Sequence, residues 1–173
     1  MEATGVWAGQ HLELVEGELI DKKMGKNRPH VITLVAVQAW LMRVFGAEYV
    51  NPEASIDVAP EDNPTNEPEP DLIVLTRPMT EFPVAKPKPP DLRLVIEISD
   101  STLGFDLKTK ADLYARAGIV EYWVFDIPQR RLIVHREPQN GLYRSITAYN
   151  QQESVAPLAM PDCEFRIADA FVI

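Results

Sequence analysis

The chain has 173 residues, of which 46% are hydrophobic and 25% are charged, an ordinary balance that predicts one globular domain over residues 1–173. Its 26 acidic and 17 basic residues give a formal net charge of −9, which argues against binding nucleic acid by bulk electrostatic attraction. Cysteine occurs once, at Cys163, and no uncharged apolar run approaches the roughly 18 residues of a membrane span, so we expect a cytoplasmic protein without disulfides, cysteine-based zinc or a membrane partner.

The N-terminal part of the sequence indicates a hairpin followed by a long helix. Within residues 12–21, apolar residues lie on both sides of the turn pair Glu16-Gly17, which is typical of two short paired strands. Residues 31–45 are apolar on most sides and predict a helix. Asn27 is suited to cap this helix and Gly46 to end it. A helix of this composition is expected to pack on more than one side.

A loop and two strands are predicted next. Residues 49–58 indicate a strand, and the prolines and acids of residues 60–70 predict a solvated loop, because they offer little to a core. Asp71 follows this loop directly. The apolar run at residues 72–76 is typical of a strand that is covered on both faces, and a second proline-rich connection leads to another strand at residues 92–99.

The C-terminal half combines a crossover unit with a meander. The strand at residues 92–99, a helix at 105–117 and a strand at 120–126 form one strand-helix-strand unit, in which the two strands are expected to be parallel. The polar–apolar segments at 131–149 indicate antiparallel strands separated by turns, and residues 161–173 add a last strand or short helix. The fold class is therefore α/β.

Two carboxylates occupy unusual places in these strands. Asp71 lies at the start of one apolar strand, and Glu97 lies near the carboxyl end of the next, within the run VIEIS. Glu97 shares one strand face with Ser99, because side chains alternate across a strand. An ionised carboxylate in such a run needs solvent, a partner or a bound cation. Ligands commonly bind at the carboxyl ends of strands in open α/β sheets.

The predicted helix after Glu97 offers a positive partner. At 100° per residue, Lys110 lies within about 60° of the centre of the apolar face, whereas Lys108 lies roughly a quarter turn to the other side. We therefore expect Lys110 to reach toward Glu97. A lysine among acidic groups stays protonated and can stabilise negative charge that develops nearby.

Together these residues resemble a bacterial family of predicted restriction endonucleases within the PD-(D/E)XK nuclease-like superfamily. The resemblance rests on PDLIV around Asp71, VIEISDST around Glu97, Asp106 with Lys110, and the segment YARAGIVEYWVFD. It extends from LELVEGEL near the N-terminus to the turn NGLY, which is most of the chain. It implies a restriction-endonuclease-like mixed β-sheet flanked by helices, ending in an antiparallel C-terminal meander.

The resemblance also implies a metal site. Asp71 and Glu97 would bind Mg²⁺ or Mn²⁺, and the backbone carbonyl of Ile98 would add a further oxygen ligand, since hard cations prefer oxygen donors. Lys110 would orient the attacking water or stabilise the transition state. The implied activity is endonucleolytic hydrolysis of DNA, and the resemblance also implies a homodimer. Because of the net charge of −9, we expect DNA to be bound weakly when the metal is absent.

One position departs from the superfamily pattern. A lysine usually lies two residues after the second acid, and this sequence has Ser99 there. Lys110 matches the lysine that the related family carries on the helix, so the helical geometry and the resemblance agree. Glu18 in the hairpin and His30 in the first helical turn resemble family positions near the same site.

Each candidate also has a purely structural interpretation. Asp71 is suited to accept a backbone hydrogen bond after proline, and Glu97 with Lys110 is suited to anchor the helix as an ion pair. His30 is placed like a core residue, and Glu18 like a solvated charge. Two other functions therefore stay open: a non-catalytic binding or assembly module that keeps the nuclease fold, and a metal-dependent phosphoesterase acting on a small substrate.

Overall fold

A mixed β-sheet forms the centre of the molecule. The structure is a computed structural model that describes residues 11–22 and 26–171, and the sheet has six strands within these ranges. In spatial order they are β3 (Val50–Pro52), β4 (Leu72–Leu75), β5 (Leu92–Ser99), β6 (Glu121–Asp126), β7 (Arg131–Gln139) and β8 (Leu142–Tyr149). The β5–β6 pair is parallel and the other four pairs are antiparallel, as expected for a crossover unit that continues into a meander.

The two faces of the sheet carry separate parts of the core because side chains alternate along each strand. On one face, Leu72 and Ile96 pack with residues of the long helix α1 (Arg28–Phe45). On the other face, Ile73 and Val95 pack with residues of the helical segment that follows β5. Both faces are therefore covered, and the predicted fold class, a mixed sheet flanked by helices with a C-terminal meander, is confirmed.

The predicted hairpin and first helix are both present. Strands β1 (Leu12–Val15) and β2 (Glu18–Asp21) pair around the turn Glu16-Gly17, whose residues have φ angles of 50° and 79°. In α1, the Asn27 side chain accepts a hydrogen bond of 3.1 Å from the backbone N–H of His30 and so caps the helix. Gly46, with a φ of 98°, ends it, because few other residues adopt this conformation easily.

The helical segment after β5 is less regular than predicted. It begins as α2 (Leu103–Phe105), passes through a π-helical turn (Asp106–Lys110) and continues as α3 (Ala111–Arg116). The phenol of Tyr122 donates a hydrogen bond of 2.9 Å to the carbonyl of Asp106, which satisfies a buried backbone acceptor in this turn. Such π-turns are rare and occur frequently at functional sites.

Two expectations from the sequence are wrong in part. The strand predicted for residues 49–58 is limited to β3, because Pro52 lacks a donor for further pairing and Glu53 has a positive φ of 50°. The loop at residues 60–70 is solvated only in its first half. In its second half Asn66, Pro68, Glu69 and Pro70 are buried, because the backbone of Glu67 pairs with Leu14 and holds the loop against the hairpin.

The C-terminal tail closes over one sheet face, as predicted for a last strand or short helix. Strands β9 (Ser154–Val155) and β10 (Phe165–Arg166) pair with each other, and a 3₁₀ turn follows at Ile167–Phe171. Residues 172–173 of the predicted tail lie outside the described residues. Among the described residues, no helix has the length and apolar character needed to cross a membrane.

Candidate functional site

Asp71 and Glu97 face each other across two antiparallel strands. Leu72 of β4 pairs with Ile96 of β5. In this antiparallel register Asp71, which precedes Leu72, lies opposite Glu97, which follows Ile96, on one sheet face. Both side chains are buried, with 1% of each residue exposed. Like charges in this position repel each other, so the pair requires a neighbouring cation.

Lys110 supplies one such cation. Its ammonium lies 2.5 Å from Glu97 Oε1, and the hydroxyl of Tyr114 donates a hydrogen bond of 3.3 Å to the same oxygen. Only 1% of Lys110 is exposed, as the predicted inward-facing position requires. Burial disfavours the ammonium form, but the carboxylates of Glu97 and Glu13 outweigh this effect and hold the pKa of Lys110 above its ordinary value.

The hairpin contributes two charged residues to this site. Glu13 in β1 is buried, and its Oε1 lies 2.6 Å from Lys110 Nζ. Lys22, directly after β2, places its ammonium 3.3 Å from Glu13 Oε2 and 3.2 Å from Glu97 Oε2. The same ammonium lies 3.6 Å from Asp71 Oδ1. Three carboxylates and two lysines therefore form one buried cluster, which we call the acidic cluster.

The sequence interpretation missed Glu13 and Lys22. Neither residue was singled out, and in β1 the buried face consists of Glu13 and Val15. Val15 gave a usable signal, since an apolar residue two positions after Glu13 lies on the same strand face. No local pattern distinguishes Lys22 from the other lysines nearby.

Asp71 is held by groups from three elements. Its Oδ2 accepts a hydrogen bond of 2.8 Å from the backbone N–H of Ile98, and His30 Nε2 lies 3.5 Å away from the same oxygen. Burial opposes ionisation of Asp71, but the charge of Lys22, together with His30 and the Ile98 N–H, lowers its pKa below the ordinary value. Asp71 is therefore a carboxylate at neutral pH.

Burial and ion pairing act in opposite directions on the pKa of Glu97. Burial raises the pKa of Glu97, and the ammonium groups of Lys110 and Lys22 act against that rise. Burial also disfavours the charged form of Lys22, but the Glu97, Asp71 and Glu13 carboxylates raise the pKa of Lys22 overall. Burial outweighs the lysines at Glu97 and leaves its pKa raised, to about 8, so Glu97 takes up a proton more readily than Asp71.

Ser99, at the position of the usual superfamily lysine, is hydrogen-bonded to a neighbouring carboxylate. Its hydroxyl donates a hydrogen bond of 2.8 Å to Oδ2 of buried Asp106, and the hydroxyl of Thr102 donates to the same atom, also at 2.8 Å. Burial raises the pKa of Asp106, although Lys110 and these two hydroxyls act in the opposite direction. Ser99 therefore holds a carboxylate at the start of the π-helical turn.

These groups surround a cavity of about 50 Å³. This volume suits a few water molecules or a hydrated ion and is far below the several hundred Å³ typical of pockets that enclose a small molecule. The lining residues come from the hairpin and the residues after it, from α1, from the position before β4, and from β5 and the segment after it: Glu13, Ile20, Asp21, Lys22, Lys26, His30, Asp71, Glu97, Ile98, Asp100, Ser101, Thr102, Phe105, Asp106 and Lys110.

The remaining predicted site residues divide into two groups. His30 and Ile98 line the cavity. The N–H and the carbonyl of a strand residue point to the same side of the strand, so the Ile98 carbonyl is directed to the side on which its N–H binds Asp71. Glu18 is exposed in the hairpin and does not line the cavity. The Asp71–Ile98 hydrogen bond and the Glu97–Lys110 ion pair also agree with the structural interpretation of these residues.

A second group of possible metal ligands lies outside this cluster. Among residues 11–22 and 26–171, His11, Glu53 and Glu69 are the three residues whose ligand atoms all lie within 4.8 Å of one another. Lys26 forms an ion pair with Glu53, and about half of the His11 side chain is exposed. This group is therefore already neutralised in part.

The fold and this arrangement define an α/β protein of the nuclease-like class. Acids from the neighbouring strands β4 and β5 and a lysine from the helical segment meet where these two strands end. Residues 6–168 match the model of the Uma2 family, whose description is "Putative restriction endonuclease". This match covers most of the chain, and the chain belongs to that family. The resemblance inferred from the sequence motifs is thereby confirmed.

A solved structure supports the fold independently. A crystal structure described as a "putative nuclease belonging to DUF820 from Anabaena variabilis ATCC 29413" superposes with a TM-score of 0.67 at 16% sequence identity. The superposition covers 92% of this chain and 89% of that chain. No curated protein sequence matches this chain.

Proposed function

We propose that this protein is a divalent-metal-dependent nuclease that hydrolyses phosphodiester bonds in DNA. The observation that carries the proposal is the convergence of Asp71, Glu97 and Glu13 on one small buried cavity, next to the Lys110 ammonium. Family membership and fold support a nuclease role. The finer assignments of metal and catalytic residues are part of this proposal.

The donor set fits a hard cation. Carboxylates and backbone carbonyls are the ligands that Mg²⁺ and Mn²⁺ prefer, and Asp71 Oδ1 is buried without a hydrogen bond. Asp71, Glu97 and Glu13 would hold the ion, with the Ile98 carbonyl at the same strand edge. A bound ion of this kind activates water and neutralises charge on the phosphate.

The other residues of the site would keep these ligands in place. Lys110 holds Glu97 and Glu13 through short ion pairs, and it keeps a positive charge beside the cavity. His30 lies against Asp71 Oδ2, and Asp106 is fixed by Ser99 and Thr102. Because the cavity is too small to enclose a nucleotide, the substrate would lie across its mouth.

A cleavage assay tests this function. Plasmid DNA is incubated with the protein and Mg²⁺ or Mn²⁺, and parallel reactions contain a chelator. We expect cleavage only with metal, and its loss in Asp71→Asn and Glu97→Gln. Asp112→Asn is the matched control, because this carboxylate pairs with exposed Lys108 outside the cavity. Cleavage that persists in both site variants, or with the chelator, contradicts the proposal.

One observation favours a second function, a non-catalytic binding or assembly module. Lys22 and Lys110 already neutralise much of the acidic cluster, so the fold can be stable without a metal ion. Calorimetric titration with Mn²⁺ separates the two functions, because an assembly module shows no binding at millimolar metal. Possible homodimerisation, and weak, salt-sensitive DNA binding without metal, stay predictions of the nuclease proposal.

A further inference from the structure

Lys22 occupies a central place among the carboxylates of the proposed metal site. Its Nζ lies 3.2 Å from Glu97 Oε2, 3.3 Å from Glu13 Oε2 and 3.6 Å from Asp71 Oδ1. Within the part of the chain that the structure describes, Lys110 has ion pairs with Glu13 and Glu97 only. Lys22 is therefore the lysine that joins all three carboxylates, as a metal ion bound between them would.

The two lysines differ in their access to solvent. The Lys22 side chain is 11% exposed and lies after the end of β2, whereas the Lys110 side chain is 1% exposed and lies between the helical segment and the sheet. A lysine side chain has a flexible four-carbon stem that can carry its ammonium to a new position. Lys22 can thus leave the cavity at its mouth, while Lys110 is enclosed.

An ammonium and a divalent cation cannot share this position. The Lys22 distances of 3.2–3.6 Å are those of an ammonium ion pair, whereas Mg²⁺ binds oxygen at about 2.0–2.1 Å. The three carboxylates around Lys22 are not among the described groups whose ligand atoms all lie within 4.8 Å of one another. They stand apart around the ammonium, and they would have to move closer around a metal ion.

We propose that Lys22 is an internal cation that occupies the metal position in the metal-free protein, so that a divalent cation binds only when the Lys22 ammonium moves out. This inference rests on the proposed function, because it takes Asp71, Glu97 and Glu13 as the metal-binding carboxylates. Lys22 then lowers metal affinity by direct competition. Lys22 also stabilises the metal-free fold, since without it Glu13 and Glu97 share the Lys110 ammonium and Asp71 loses its ion pair with Lys22.

The test measures metal binding itself. Mn²⁺ affinity is determined by calorimetry for the parent protein, for Lys22→Met and for the matched control Lys26→Met. Lys26 lines the same cavity but pairs with Glu53, so its loss changes the net charge equally without vacating the cluster. We expect Lys22→Met to bind Mn²⁺ more tightly by about tenfold or more, because a competing positive charge is removed. Lys26→Met should stay within about threefold of the parent.

A second variant covers the case in which Lys22→Met does not fold without metal. The double variant Lys22→Met/Glu13→Gln removes one charge of each sign from the cluster, and it should still bind Mn²⁺ more tightly than Glu13→Gln alone. Thermal unfolding gives an independent readout, since Mn²⁺ should raise the melting temperature of the Lys22 variants more than that of their parents.

The outcomes separate this inference from the nuclease proposal. Equal Mn²⁺ affinity with and without Lys22, or no binding by any variant, overturns the role of Lys22. Tighter binding in Lys22→Met but not in Lys26→Met supports it, whether or not DNA is cleaved. If affinity rises as expected and no variant cleaves DNA, the nuclease proposal fails while the role of Lys22 stands.

Discussion

Removal of the Lys110 ammonium should destabilise the fold strongly. Lys110→Met keeps a side chain of similar length but leaves Glu13 and Glu97 without their closest cation, at ion-pair distances of 2.6 and 2.5 Å in the parent. Breaking a buried ion pair by removing one partner typically costs about 3–5 kcal/mol, and the lower end of this range applies here because Lys22 still pairs with Glu13 and Glu97. That is a large part of the roughly 5–15 kcal/mol that stabilises a domain.

The assay is urea unfolding of the metal-free protein at pH 7, followed by tryptophan fluorescence. The control is Lys108→Met, which lies two residues away, is 82% exposed in its side chain and pairs with Asp112 at 3.5 Å. We expect this control to lose at most about 0.5 kcal/mol. The double variant Lys110→Met/Glu13→Gln should recover part of the unfolding free energy that Lys110→Met loses. If the unfolding free energy of Lys110→Met lies within about 1 kcal/mol of the parent value, the ion pairs of Lys110 with Glu13 and Glu97 do not support the fold.

Three further predictions concern stability. The pKa of Asp71 in the folded protein is lowered from 3.8, so the stability that its charge contributes is present above about pH 4 and is lost as the pH falls through the folded pKa. Asp71→Asn should therefore flatten this acidic part of a curve of unfolding free energy against pH. An unchanged slope would contradict the assignment. Tyr122→Phe leaves the Asp106 carbonyl without its donor and should cost about 1–3 kcal/mol in urea unfolding, whereas no loss would mean that the π-helical turn does not need this bond. Asn27→Ala removes the α1 cap and the hydrogen bond from Asn27 to Asp100, and it should cost about 1 kcal/mol in the same measurement, with Asn27→Ser as the variant that retains the cap.

Much of the fold follows from local patterns in the sequence. The caps of α1, the turn at Glu16-Gly17 and the strand at residues 92–99 were all predictable, because each depends on residues that are close in the chain. The errors lie where distant segments meet. The loop at residues 60–70 contains few apolar residues, yet four of its eleven residues are buried where it pairs with the hairpin.

The candidate site divides in the same way. Asp71 and Glu97 stood out as carboxylates in apolar strands, and Lys110 could be placed by helical periodicity even though the π-helical turn alters the local geometry. Glu13 was not predicted as a site residue, because nothing in the hairpin sequence shows that its side chain meets Lys110. The interpretation of Ser99 as a departure from the superfamily pattern gains a physical account, since its hydroxyl holds Asp106.

The sequence by itself therefore determined the type of fold, the family resemblance and the pair of acids that lie at neighbouring strand ends. Only the tertiary structure decided which cations neutralise these acids. Lys110 meets Glu13 across 97 residues of sequence, and Lys22 meets Glu97 across 75. No local periodicity encodes such contacts, because they arise when the hairpin packs over the sheet and buries charges that must then pair.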